Sequence, residues 1–168
     1  MSDFPISHPY ELGRLGLAGD KVVIAPSEDE RARIAQWAGV DAVEAFEARI
    51  ELRKITRAHY VFDAVLNADI LQGCVVTLDP VRSRVARAFT RELFLTQTKP
   101  LDTDAAPFDE EDGREEIASL RYDLAAPVLE ELVLAIDPYP RAPGVEFEPP
   151  AEEDKPEHPF AALKKLKP

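Results

Sequence analysis

Cysteine and histidine are scarce in this chain of 168 residues. It contains one cysteine, Cys74, and three scattered histidines, His8, His59 and His158. A single cysteine excludes an internal disulfide, and a zinc site needs about four such ligands at close spacing. The sequence also lacks a phosphate-binding loop and the motifs G-x-G-x-x-G, G-x-S-x-G and H-E-x-x-H. We therefore expect a protein that is not an enzyme, with no catalytic residue, no cofactor and no metal.

Long apolar runs are also missing. The longest uncharged stretch in the middle of the chain, residues 70–78, is far shorter than the roughly 20 residues that a membrane span needs. The first ten residues, MSDFPISHPY, lack the basic and apolar regions of a secretory signal peptide. These features, with the lone cysteine, predict a soluble cytoplasmic protein.

Alternating residues predict a sheet with one face in solvent. Apolar and polar residues alternate over residues 46–53 and again over residues 60–70, which is typical of half-buried strands. Residues 74–78 are β-prone, and residues 81–95 predict another strand with a bulge or break near Arg87. Because no helix pattern separates these strands, we expect an antiparallel sheet.

Helix signals flank the strands. Residues 21–25 predict a short strand, after which Ser27 and Glu30 form a capping box and Gly39 is a natural C-terminal residue. Residues 41–44 suggest a further short helical turn.

A second helix is predicted over residues 124–136. Asp123 can cap it, Pro127 is tolerated in its first turn, and residues 121–122 are expected to close the sheet. The stripe that would cover the sheet consists of Val128, Leu129, Leu132 and Ile136.

These patterns predict one α+β domain over residues 1–137, in which an antiparallel sheet is covered by one or two helices and an acidic loop at about 99–113 is flexible. Residues 138–168 form an extended, Pro-rich acidic tail, which holds eight of the fifteen prolines and cannot form a core of its own. The tail ends in PFAALKKL. We expect the apolar side chains of this motif to dock on a partner, namely Phe160, Leu163 and Leu166.

Charge is distributed unevenly. The formal net charge is −12, which spread evenly would repel nucleic acid. Residues 49–91, however, hold eight Lys/Arg against four Asp/Glu, a net charge of +4. We expect the strand arginines to gather on one sheet face with the acids elsewhere; the alternative is that they only decorate its wet side. The candidate RNA-binding residues are Arg49, Arg53, Lys54, Arg57, Arg82, Arg84 and Arg87.

Four stretches, taken in order, resemble a known family. They are ADILQGCVVTLDPV from residue 68, LEELVLAI from residue 129, DPYPR from residue 137 followed by Gly144, and the terminal PFAALKKL. Their order is similar to that in the YceD-like family, the large ribosomal RNA subunit accumulation proteins, from about Phe46 onward. Many members carry C-x-x-C where this chain has Leu71-x-x-Cys74, so no metal role is transferred.

Three hypotheses follow for the function. The resemblance implies a non-enzymatic factor in accumulation or processing of the large subunit's RNA, or in ribosome assembly, which binds ribosomal RNA, basic ribosomal proteins or both. The second hypothesis is a protein-binding adaptor that acts through its C-terminal tail without touching RNA. The third is a metal-dependent nuclease that uses the carboxylates of residues 102–116.

Overall fold

A five-stranded sheet forms the centre of the molecule, whose computed structural model describes residues 4–96 and 114–145. The strands of the molecule are β1 (Pro9–Glu11), β2 (Asp20–Ile24), β3 (Ala42–Lys54), β4 (His59–Gly73), β5 (Pro80–Leu95), β6 (Arg114–Ile117) and β7 (Arg121–Asp123). The strand order of the main sheet is β2-β3-β4-β5-β6; neighbours are antiparallel except β6, which runs parallel to β5. The predicted α+β class is therefore confirmed, with one parallel pair added to the antiparallel sheet.

The two long strands β3 and β4 set the two faces of the sheet. A register shift lies between Val43 and Ala45, and from Ala45 opposite Asp69 to Lys54 opposite Tyr60 the strands pair without interruption. Residues of matching parity in this stretch share a face. The apolar residues of the predicted period of two are buried, for example Ile50 and Leu66. We call the buried side the covered face and the opposite side the open face.

Two helices lie on the covered face. The first, α1 (Glu28–Ala38), begins at the predicted capping box: the Glu30 amide donates to Ser27 Oγ at 3.4 Å, and the Ser27 amide donates to Glu30 Oε2 at 2.8 Å. It ends at Gly39, whose φ of 69° is left-handed. The helical turn expected over residues 41–44 is wrong, because β3 begins at Ala42, and Ala42 and Val43 pair with β4.

The second helix, α2 (Ala125–Ala135), buries Val128, Leu129 and Leu132 in the same core as Ile34 of α1. Asp123 stands before it, and its Oδ1 accepts hydrogen bonds from the amides of His8 at 2.7 Å and Ala125 at 3.0 Å. One carboxylate thereby joins the start of α2 to the N-terminal segment. Pro127 sits in the first turn, as predicted.

Residues 121–122 do not close the main sheet, contrary to the prediction. They belong to β7, which pairs with β1 in a separate two-stranded sheet. The first residues of the chain fold back onto β7, with Leu124 N donating to His8 O at 3.0 Å. The sequence gives little signal for β1, because a three-residue strand is too short for a period to be visible.

Two strand predictions near β5 are also wrong. Residues 74–78 form the turn between β4 and β5, closed by Leu78 N donating to Cys74 O at 2.9 Å, and Leu78 has a φ of 64°. Strand propensity describes how well side chains fit a pleated surface. Residues 74–78 have this propensity, but they form a turn because the chain must reverse between the paired strands β4 and β5. No bulge occurs at Arg87, since β4 and β5 pair without a shift from Gly73 opposite Pro80 to His59 opposite Phe94.

Two predicted features lie outside the described residues: the acidic loop at about 99–113 and the tail beyond Val145, with Phe160, Leu163 and Leu166. Within the described residues, no helix is both long and apolar enough to cross a membrane.

Candidate functional site

The open face of the sheet brings together four of the predicted RNA-binding residues. Arg49 and Arg53 project from β3, and Arg82 and Arg84 project from β5, on the side opposite the buried core. Their side chains are 56–76% exposed. In residues 4–96 and 114–145, both helices pack on the other side, so this face remains accessible to a partner.

The other three predicted residues lie elsewhere. Lys54 has the parity of the covered face, and its Nζ lies 5.9 Å from the centre of the Tyr60 ring. Arg87 stands opposite Leu66 and therefore also has covered-face parity, although it is exposed at the edge of the sheet. Arg57 lies in the turn between β3 and β4. The seven residues do not form a single surface.

The four open-face arginines that the sequence predicted each pair with a carboxylate. The Arg49 guanidinium lies 2.7 Å from Glu47, Arg53 lies 2.7 Å from Asp63, Arg82 lies 3.0 Å from Glu44, and Arg84 lies 3.9 Å from Asp69. Lys21 of β2 pairs with Glu51 in the same way. These five cations of the described residues are therefore matched by five carboxylates. The expectation that the acids would lie elsewhere is wrong.

The matched charges determine what the open face can bind. Ion pairs between exposed side chains contribute only about 0–1 kcal/mol each, so an incoming phosphate can exchange for a carboxylate at low cost. The displaced carboxylates remain nearby, however, and repel the same phosphate. Contact with a polyanion here is consequently expected to be weak and reversible, and contact with a surface of mixed charge is equally compatible with it.

Arg91 forms a more enclosed network, which the sequence analysis did not single out. It projects from β5 toward α2, where its Nη2 lies 2.8 Å from Glu130 and 3.8 Å from Glu131, and its Nη1 lies 3.7 Å from Glu115. The Arg91 side chain is 22% exposed. The Tyr122 hydroxyl donates to Glu115 at 2.7 Å; burial, and then this carboxylate, raise the pKa of Tyr122. The network joins α2, β5 and β7, which indicates a structural role.

Cys74 is buried in the turn between β4 and β5. Its Sγ accepts hydrogen bonds from the amides of Val76 and Ala142, both at 3.4 Å. A hydrogen bond from the Thr77 side chain, followed by those from the amides of Ala142, Thr77 and Val76, lowers the pKa of the Cys74 thiol to about 6, while burial opposes this change. The sulfur thus links the turn to the segment after α2.

Metal-ligating side chains do not cluster in the part of the chain that the structure describes: no three His, Cys, Asp or Glu residues are grouped there as a metal ion would require. Of the carboxylates in the nuclease hypothesis, Glu115 and Glu116 are described, and Glu115 belongs to the Arg91 network. The others lie outside the described residues.

Comparison with known proteins gives one match. The model of the family described as "Large ribosomal RNA subunit accumulation protein YceD" matches residues 62–167, well over half of the chain. The chain belongs to the YceD family. The resemblance inferred from the sequence is thereby confirmed, although the match begins at Phe62 in β4 rather than near Phe46. No curated protein and no solved structure matches the chain significantly.

Membership of the YceD family implies a role in accumulation of the large ribosomal subunit's RNA. The matched residues include most of β4, all of β5 and α2, and the terminal motif with Phe160, Leu163 and Leu166. Of the four open-face arginines, Arg82 and Arg84 lie inside the match, whereas Arg49 and Arg53 precede it.

Proposed function

We propose that this protein is a non-enzymatic factor in the accumulation, processing or assembly of the large ribosomal subunit's RNA, acting by binding that RNA, ribosomal proteins or both. The observation that carries this proposal is the family match over residues 62–167. A binding role also agrees with the broad accessible sheet face that the described residues present.

The open face is the proposed RNA contact. Four arginines in a plane can meet successive phosphates, because guanidinium groups bind phosphate oxygens through two parallel hydrogen bonds. Each contact releases counterions and adds roughly 0.9 to the slope of log affinity against log salt on duplex, or about 0.7 on single strands. Binding through Arg49, Arg53, Arg82 and Arg84 would therefore have a slope of about 3 to 4.

A charge-matched pair of variants tests this contact. The first variant carries R49Q, R53Q, R82Q and R84Q; the control carries R14Q, R33Q, R121Q and R141Q, which remove the same charge from exposed positions off the open face. We expect the first variant to bind a large-subunit RNA fragment more weakly and with a shallower salt slope, while the control retains most of the slope. Equal losses in the two variants would show that only net charge matters.

The cellular role has a separate readout. Deleting the gene should lower the ratio of large-subunit to small-subunit ribosomal RNA, and the full chain should restore it. If deletion leaves the ratio unchanged, the proposed function is wrong. If deletion lowers the ratio and the open-face variant restores it fully, the role stands but the RNA contact lies elsewhere.

A second candidate is an adaptor that binds a protein partner through its tail. It is favoured by the extent of the family match, which continues through the terminal motif to residue 167. The variant F160A, L163A and L166A separates the two functions. An adaptor would lose both its capture of ribosomal proteins and its effect on the RNA ratio, whereas a factor that acts through the sheet would keep its RNA affinity and its effect on the RNA ratio.

A further inference from the structure

The outer edge of β5 is largely unpaired in the described residues. β5 runs over Pro80–Leu95, but β6 pairs only with its last four residues, from Glu92 to Leu95. Residues 80–91 therefore present backbone donors and acceptors at every second position to solvent. A strand edge of this length is a site at which another extended segment can lie.

The charge of this edge is entirely of one sign within the strand. Residues 80–91 contain four arginines and no acid. Arg91 is held by three carboxylates, and Arg82 and Arg84 pair with Glu44 and Asp69 but are about three-quarters exposed. Arg87 is exposed and makes no ion pair with any described residue. Because exposed ion pairs contribute only about 0–1 kcal/mol each, carboxylates of an added segment can exchange for Glu44 and Asp69, and the edge favours an extended, acidic occupant.

The chain leaves the described structure close to the beginning of this edge. After α2 it is fixed to the β4–β5 turn, which immediately precedes Pro80: Val75 N donates to Pro140 O at 2.9 Å, Ala142 N donates to Cys74 Sγ at 3.4 Å, and Gln72 Nε2 donates to Asp137 O at 3.1 Å. The last described residue, Val145, follows three residues after Ala142.

The sequence that follows has the complementary charge and length. Residues 146–158 contain six acids and one lysine. Extended, they span about 40 Å, as does the twelve-residue edge at roughly 3.3 Å per residue. We propose that residues 146–158 lie along the open edge of β5 in the same molecule, with their carboxylates beside Arg82, Arg84 and Arg87.

The prolines of the segment define the kind of contact. Pro149, Pro150 and Pro156 have no amide hydrogen and cannot complete a regular ladder. Side-chain electrostatics must then provide most of the attraction, assisted by the high effective concentration of a segment tethered nearby. The contact is therefore sensitive to salt.

A second copy of the chain is a poorer occupant of the edge. Two β5 edges related by a twofold axis would bring arginines of one copy next to those of the other, and like charges on neighbouring strands are destabilising. The proposed contact also has a functional consequence. Because it uses Arg82 and Arg84, the segment would compete with any anionic ligand of the open face.

Amide spectra of the isotopically labelled full chain test the contact without RNA, so the result does not depend on the proposed function. The tail variant neutralises the six acids of the segment. We expect its amide resonances to differ from the wild type at low salt mainly over residues 81–91, and this difference to vanish in 0.5 M NaCl, where the Debye length is about 4 Å. The substitutions are E146Q, E148Q, E152Q, E153Q, D154N and E157Q.

Two further variants make the test specific. In an edge variant with R82Q, R84Q and R87Q, neutralising the tail should no longer move the resonances of residues 81–91. In a control with R14Q, R33Q and R121Q it should move them as in the wild type. The proposal is overturned if those resonances are unmoved in the wild type, if the edge variant responds fully, or if the effect grows with protein concentration, which would indicate a contact between molecules.

Discussion

Replacing Arg91 by methionine tests how strongly the charge network fixes α2 to the sheet. The substitution keeps an unbranched apolar stem but removes the cation that faces Glu115, Glu130 and Glu131. Three carboxylates, with the Tyr122 hydroxyl bonded to one of them, would then share a confined space without a positive partner.

The expected cost follows from the burial of the network. Losing one partner of a fully buried pair costs about 3–5 kcal/mol, whereas exposed pairs contribute about 0–1 kcal/mol. Arg91 and Glu131 are 22% exposed, but Glu130 is 44% exposed, so screening reduces the effect. We expect R91M to lower the free energy of unfolding by about 2 kcal/mol.

Urea denaturation followed by circular dichroism measures this loss. With an m value of about 1–3 kcal/mol/M, the midpoint should fall by roughly 1 M, and the melting temperature should fall by about 4–8 °C. Arg87 provides the matched control, because it lies on the same strand and has the same parity but makes no ion pair with any described residue. R87M should change stability by less than about 0.5 kcal/mol. Equal effects of R91M and R87M would refute the assigned role of the network.

Two further predictions concern the backbone at Gly19 and the thiol of Cys74. Gly19 has a φ of 73°, and an added Cβ would lie 2.6 Å from Leu52 O, so G19A should lower the free energy of unfolding, measured by urea denaturation, by more than about 2 kcal/mol. The control G39A changes a glycine with a φ of 69° but no neighbouring atom within contact distance, and should lower it by only about 1 kcal/mol. Equal losses in the two variants would contradict the clash. The thiolate absorbance near 240 nm should titrate with a midpoint near pH 6 and be absent in C74S. Because the pKa of Cys74 is lower in the folded than in the unfolded state, the thiolate stabilises the fold above pH 9, and this stabilisation is lost as the pH falls toward 6. The stabilities of the wild type and C74S should therefore diverge as the pH rises through this window. Parallel stability curves would contradict the lowered pKa.

The strands and helices that the sequence predicted well are those with a long period or a specific cap. The alternation in β3 and β4 continues for many residues and allows only one face to be buried. The capping box at Ser27 and Glu30 marks the start of α1 through its own hydrogen bonds. By contrast, residues 74–78 have a strong strand composition but form a turn, because the pairing of β4 with β5 requires the chain to reverse there.

The charge of the open face shows a different limit of sequence reasoning. A count along residues 49–91 gives a net charge of +4, yet five cations of the open face pair with carboxylates in the described residues. Glu44 and Glu47 lie just outside the counted window but pair with Arg82 and Arg49. Asp63 and Asp69 reach their arginines from a neighbouring strand. Register, which decides these neighbours, is not visible in a linear count.

The family match includes the edge of β5 and the acidic segment that is proposed to lie along it. Arg49 and Arg53 precede the match, whereas Arg82, Arg84 and the tail are inside it. Within the matched part, the open-face arginines of β5 are therefore adjacent to the edge along which the acidic segment is proposed to lie. A segment that leaves this edge when a stronger polyanion or a basic protein arrives would free both arginines and its own carboxylates. Binding of RNA to the sheet and binding of a basic protein to the acidic segment would then be coupled, because each would displace the same contact.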